Sequence, residues 1–310
     1  NGSGEANVSA SQNVQLAFVS YEGTDGGLPS ATCCGVIRVI DGKTCQQLFS
    51  LDEHKVVGGG NLAAGDLNGD GIAEIVALAE GGGLVAFGLS EEPLSFDLLW
   101  HSTLPDGSVD TYPGASVYQW NGPSIADVTG DERPEIVMDG ALYDADGVQL
   151  TQSLGWSNYQ QGVFPVVGDA DLDGEPEVFF GTGAYRVAED GLSFEPAAFQ
   201  PPDTFTLNPG HIALANFGAY PGLLGTLPEL AAEIVMVSAG SVYLYDLTGQ
   251  LLWGPVSLPG GGTGGPPTVA DFDGDGLPEI AAAGALAYTV FDLECTGDPL
   301  PDKCASEFVL

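Results

Sequence analysis

Three nine-residue stretches put oxygen-bearing side chains at positions 1, 3, 5 and 9: Asp66, Asn68, Asp70 and Glu74; Asp169, Asp171, Asp173 and Glu177; Asp271, Asp273, Asp275 and Glu279. A fourth stretch is looser, with Asp127, Thr129, Asp131 and Glu135, and a fifth, starting at Asn216, lacks the acidic spacing. Carboxylates at positions 1, 3 and 5 of a tight turn converge on one side, and Ca²⁺ takes six to eight such hard oxygens in a tolerant geometry. The backbone carbonyl at position 7 (Ile72, Arg133, Glu175, Leu277) adds a ligand, and the position-9 Glu closes the shell. Gly71, Gly174 and Gly276 at position 6 permit the sharp turn, whereas Glu132 stands there in the fourth stretch. An EF-hand would need a bidentate Glu at position 12 and flanking helices. Position 12 is Ala77, Phe180 or Ala282, and the flanks read as strands. Calcium is therefore expected at three loops, with the Asp127 loop a further candidate and no ion at Asn216. The ions are expected to be structural, because every ligand of a loop comes from one short segment and no open position beside a general base is indicated.

The elements around the loops repeat with them. A short strand of small and apolar residues enters each loop (62–66, 124–127, 165–169, 212–216, 268–271) and a second leaves it, beginning at Glu74, Glu135, Glu177, Glu233 and Glu279. Third strands rich in Val, Tyr and Phe follow at 84–87, 184–187, 242–245 and 287–291, then Asp/Gly turns suited to hairpins. Fourth strands are read at 98–100 and 251–253. Four antiparallel strands per unit make one blade of an all-β propeller, and self-similarity at this period decides the fold before other signals.

The blades are expected at 58–103, 122–160, 161–200, 210–258 and 265–310. An incomplete blade at 13–57 supplies three strands, and residues 1–12 form a polar arm. The ring would hold about six blades, or about seven if another segment completes it. An open edge strand invites pairing with another chain, so the arm, residues beyond this sequence, or another molecule is expected to close it.

The chain of 310 residues has 43 acidic against 6 basic side chains, for a formal charge of −37. The four recognisable loops use 14 of those acids as expected side-chain ligands, so most of the acidity lies elsewhere. Such a surface repels nucleic acid and anionic lipid headgroups. No run of 18 apolar residues is present, so no membrane-spanning helix is expected. The five cysteines (Cys33, Cys34, Cys45, Cys295, Cys304) form no metal-type CxxC pair. Cys295 and Cys304 are expected to bridge a local loop and Cys45 to pair with Cys33 or Cys34, leaving one over. Disulfides together with calcium loops point to an exported location.

These motifs resemble the FG-GAP/VCBS repeat family of the bacterial secreted type, which is similar to the N-terminal propeller of integrin α subunits. The resemblance covers roughly residues 14–310 and is specific at the Asp66, Asp169 and Asp271 loops. It implies an extracellular, calcium-stabilised interaction module and leaves the ligand open.

Three functions are weighed. The first is a non-enzymatic extracellular interaction or assembly module with a protein or glycan partner, in one version polymerising as neighbours complete each other's sheets. The second is a calcium-dependent carbohydrate-binding propeller, with Tyr112, Tyr118, Trp120, Trp156 and Tyr159 stacking on sugar rings. The third is a polysaccharide-active enzyme, but His54, His101 and His211 sit in no recognisable constellation with a nucleophile, and no catalytic residue is assigned.

Overall fold

The computed structural model describes residues 14–21, 34–91, 94–111, 122–138, 140–151, 164–181, 183–188, 190–191, 193–197, 199–200, 210–218 and 231–293. These are all-β, with no helix and so none able to cross a membrane. The aromatics at 112–120, 156 and 159 and the end of the last expected blade, 294–310, lie outside the described residues.

The strands form six antiparallel sheets in chain order. The first sheet is β1 (Gln15–Tyr21), β2 (Gly35–Asp41) and β3 (Gln47–Val56). The second is β4 (Leu62–Gly65), β5 (Glu74–Leu78), β6 (Leu84–Glu91) and β7 (Leu94–His101). The third is β8 (Ser124–Ala126), β9 (Glu135–Met138) and β10 (Ala141–Tyr143). The fourth is β11 (Val166–Gly168), β12 (Glu177–Phe180), β13 (Gly183–Val187) and β14 (Phe194–Pro196). The fifth is β15 (His211–Ala215), β16 (Glu233–Ser238), β17 (Ser241–Tyr245) and β18 (Leu251–Ser257). The sixth is β19 (Thr268–Ala270), β20 (Glu279–Ala283) and β21 (Tyr288–Phe291). Within each sheet, neighbours in sequence are neighbours in space, the order of a propeller blade.

The chain divides into two compact units, Asn1–Pro123 with Asp146–Val148, and Ser124–Ala145 with Gln149–Leu310. In the first, one core fills the space between sheets one and two, from Ile37, Val39 and Leu51 to Ile75, Val85 and Phe87. Among the described residues of the second, three cores succeed one another. Val137 and Leu142 meet Val178 and Phe180; Phe179 and Ala184 meet Ile212, Ile234 and Met236; Val235, Val237 and Leu244 meet Ile280 and Ala282. The second strand of a sheet thus buries both faces. On β16, Ile234 and Met236 point into one core and Val235 and Val237 into the next. That explains why these strands read as unbroken apolar runs instead of alternating ones. Each fully buried side chain of this kind contributes roughly 1.5–3 kcal/mol.

One expectation is corrected. Cys45 is a free, exposed thiol, while Cys34 is disulfide-bonded. Cys34 immediately precedes β2, and Cys45 lies in the turn beyond its far end. Seven residues rising about 3.3 Å each separate them by roughly 20 Å, against the roughly 7 Å limit between the Cα atoms of a bridged pair.

Candidate metal loops

Each loop joins the first strand of its sheet to the second, and the same hydrogen-bond pattern builds all four. The position-1 carboxylate takes up the backbone of the turn. In the Asp66 loop its Oδ1 accepts from the N–H of Gly69 (2.7 Å) and Asp70 (3.2 Å), and its Oδ2 from Gly71 (2.8 Å). Asp127 and Asp271 repeat all three bonds, and Asp169 repeats the two to positions 5 and 6. The position-5 carboxylate accepts from the position-7 N–H at 2.7–2.9 Å in every loop. The turn therefore fixes its carboxylates by backbone N–H groups, through both oxygens at position 1 and through one at position 5. The N–H of Gly71, followed by other loop amides, holds the Asp66 carboxyl below its ordinary value.

Glu at position 9 has a role that spacing did not reveal. Its Oε2 accepts the N–H of position 2: Leu67 (2.8 Å), Val128 (3.0 Å), Ala170 (3.0 Å) and Phe272 (2.6 Å). The decayed fifth loop keeps this latch, with the Phe217 N–H 2.5 Å from Glu233. All five Glu residues are buried, and burial raises each of their carboxyls above the ordinary value. The latch fixes one oxygen and leaves the other facing the loop.

Position 4 shares the demand placed on position 6. The left-handed region is occupied at position 4 by Gly69, Gly130, Leu172 and Gly274 and at position 6 by Gly71, Glu132, Gly174 and Gly276. A Cβ at any of these glycines would meet nothing within 4 Å, so conformation rather than space selects glycine here. Gly-Asp-Gly in two of the loops was the available signal for position 4.

The loops differ in what they bring together. Asp271, Asp273, Asp275 and Glu279 place carboxylate oxygens within 4.8 Å of one another, and Asp169, Asp171 and Glu177 do the same. No three acids of the Asp66 or Asp127 loop meet that distance. There, position 3 turns toward the latch: Asn68 Nδ2 donates to Glu74 Oε1 and Thr129 Oγ1 to Glu135 Oε1, both at 3.1 Å. The carbonyl positions Ile72, Arg133, Glu175 and Leu277 lie on the turn itself, their N–H groups bound as above.

The Asp271 cluster offers only hard oxygens in a preformed turn, which fits a Ca²⁺ ion. Asp271, Asp273, Asp275 and Glu279 would hold it, with the carbonyl of Leu277. The Asp169 cluster contains a cation of its own. Arg186, on β13, donates from Nε to Glu177 Oε1 (2.7 Å). One terminal nitrogen (NH2) lies against the same oxygen, 3.0 Å from Asp171 Oδ2 and 2.8 Å from Asp173 Oδ2. Its hydrogen bond to Glu177 raises the arginine, while the glutamate is pushed up by burial and drawn back by the guanidinium.

The histidines stand apart. His54 packs on Phe87, His101 Nδ1 lies 3.4 Å from the Ser102 carbonyl, and His211 is buried beside Phe164 with its Nδ1 unbonded.

The sequence model of the FG-GAP-like repeat matches residues 231–282, from just before β16 into β20. That segment is an FG-GAP-like repeat, as the motifs implied. No curated protein sequence matches the chain. Among solved structures, the V. cholerae biofilm matrix protein Bap1 aligns with a TM-score of 0.55 at 16% identity, over 83% of this chain and 41% of that one. An Agrocybe aegerita lectin recognising non-reducing terminal N-acetylglucosamine aligns at 0.47 and 18% identity, over 89% and 76%. Rhamnogalacturonan lyase PL11 of Bacillus licheniformis aligns at 0.44 and 17%, over 81% and 50%. The likeness to Bap1 is one of fold, and the chain spans between two fifths and one half of Bap1 and of the lyase.

Proposed function

We propose that this chain is a secreted, calcium-stabilised β-propeller acting as a non-enzymatic extracellular interaction or assembly module. The observation that carries the reading is the Asp271 loop, whose four carboxylates converge within 4.8 Å on a turn prebuilt by backbone hydrogen bonds. Bound there, calcium would offset two of the cluster's four negative charges and tie β19 to β20. Loops of this kind serve stability at the millimolar calcium found outside cells. The dispersed histidines support a non-catalytic role. The assembly version draws support from the strands at the ends of the described sheets. Leu16 and Phe18 on β1, and Tyr288 and Val290 on β21, are large apolar side chains left exposed, of the kind a neighbouring strand would cover.

Negative-stain electron microscopy of the protein in calcium, and again after EGTA, tests the proposal. Filaments or strings of particles that disperse on chelation support assembly by strand completion. Single discs whose melting temperature falls on chelation support a self-closed binding module and direct the search to glycan and protein ligands. Turnover of an acidic polysaccharide, lost on changing one His or Arg, would overturn the non-enzymatic reading.

A further inference from the structure

The residue opposite the latch Glu sorts the loops. Extending the strand registers by one residue places Gly88 opposite Glu74, Asp144 opposite Glu135, Asp246 opposite Glu233 and Asp292 opposite Glu279. In the fourth sheet the same register places Arg186 opposite Glu177. Four sheets thus present a neutral or acidic residue where one presents a guanidinium. The chain has only three arginines and three lysines, which makes the position of this one more telling. Arg186 reaches Asp171, Asp173 and Glu177 at once, and its side chain is 31% exposed. These carboxylates are the set that sequence spacing assigned to an ion. A guanidinium among them supplies positive charge and several donors in a fixed fork.

We propose that Arg186 is the resident cation of the Asp169 loop, so that this loop keeps its turn without a divalent ion and accepts one only when the guanidinium is displaced. The inference rests on the reading that the sister loops take calcium. A cavity of about 410 Å³ lies beside the pair, walled by Phe179, Pro196, Phe199 and Leu247 and reaching Asp171 and Arg186. It gives the side chain somewhere to go. The fourth sheet is then held by a covalently attached charge, whereas the sixth, with Asp292 facing its cluster, depends on an ion from solution. One chain holds both a calcium-responsive and a calcium-independent version of the same turn.

The test is calorimetric titration of the chelator-treated full chain with CaCl₂, paired with thermal melting in EDTA and in calcium. The variants are Arg186→Gln, Arg186→Lys and Asp292→Arg, which installs the guanidinium at the sister site. Arg186→Gln is expected to bind calcium at the Asp169 loop at least about tenfold more tightly than wild type. It should also melt lower in EDTA and recover in calcium. Asp292→Arg is expected to lose one bound ion and to melt higher than wild type in EDTA. Arg186→Lys, which keeps the charge and loses the fork, should melt between wild type and Arg186→Gln in EDTA. Equal calcium binding by wild type and Arg186→Gln, or an equal drop in melting temperature with and without calcium, overturns the proposal. If wild type binds no calcium at all, the calcium reading of the sister loops fails. The resident-cation inference then stands or falls on the EDTA melts alone: identical melting of wild type, Arg186→Gln and Asp292→Arg overturns it.

Discussion

Replacing Glu279 by Gln changes one charge and keeps the shape of the latch, since the amide oxygen can still accept the Phe272 N–H that the carboxylate holds at 2.6 Å. Two opposed effects follow. Without calcium, Glu279 is a buried carboxylate facing Asp271, Asp273 and Asp275 within 4.8 Å. At that separation each pair of like charges repels by about 1 kcal/mol even with water-like screening, and by about 3 kcal/mol at the effective dielectric of a protein surface. The three Asp partners are exposed, so the water-like figure applies: relief of three pairs is about 3 kcal/mol, and exchanging a charged for a neutral acceptor costs about 1 kcal/mol, which leaves the variant about 2 kcal/mol more stable. With calcium the sign reverses. Loss of one anionic ligand weakens the ion by about ten- to a hundredfold, and mass action converts this to about 1–3 kcal/mol of lost stability. Melting followed by circular dichroism should show Glu279→Gln roughly 2–5 °C above wild type in EDTA and below it in millimolar calcium. Glu233→Gln is the control. It makes the same exchange in the same kind of latch where no ion is expected, and should shift melting equally in both buffers. A shift of Glu279→Gln with one sign and size in both buffers would refute the reasoning.

Two further outcomes follow from single residues. Leu172 holds a left-handed conformation (φ 62) with its side chain 54% exposed. The backbone penalty is about 1–2 kcal/mol and Leu172→Gly recovers it against about 0.5–1 kcal/mol of added unfolded-chain entropy, so the variant should unfold at higher urea; a lower midpoint would contradict the strain argument. His211 is buried, and its pKa is pushed down to about 4 by loss of hydration. A lowered folded pKa means stability that is present above the unfolded value of about 6.5 and lost as pH falls from there to about 4. His211→Phe should flatten that limb of the stability–pH curve, by up to about 3 kcal/mol at its foot; an unchanged limb would place the acid sensitivity elsewhere.

The second strands were legible because a buried strand packed on both faces must be apolar throughout, and the run after each loop Glu is. The first strands and the position-1 and position-5 acids were legible because they repeat. Less visible was β14, which is short, carries Pro196 and lacks an apolar pattern, and β10, which has only three residues. The demand at loop position 4 was masked by Leu172, which meets it under strain. Arg186 was beyond reach because its significance is cross-strand: nine residues from Glu177 in sequence, it becomes a neighbour only once the register of β12 and β13 is known. The Cys45 pairing failed because proximity in sequence was read without the length of the intervening strand.

The bonds that shape each loop run almost wholly within its own nine residues, from the position-1 carboxylate to the position-9 latch. A turn so self-contained behaves as a cassette. It can be rewritten for a different occupant, or for none, while the strands on either side keep their partners. A chain built this way can have its calcium requirement set loop by loop, and the same nine-residue unit is a candidate for transplanting a metal-dependent hinge into an unrelated β-hairpin.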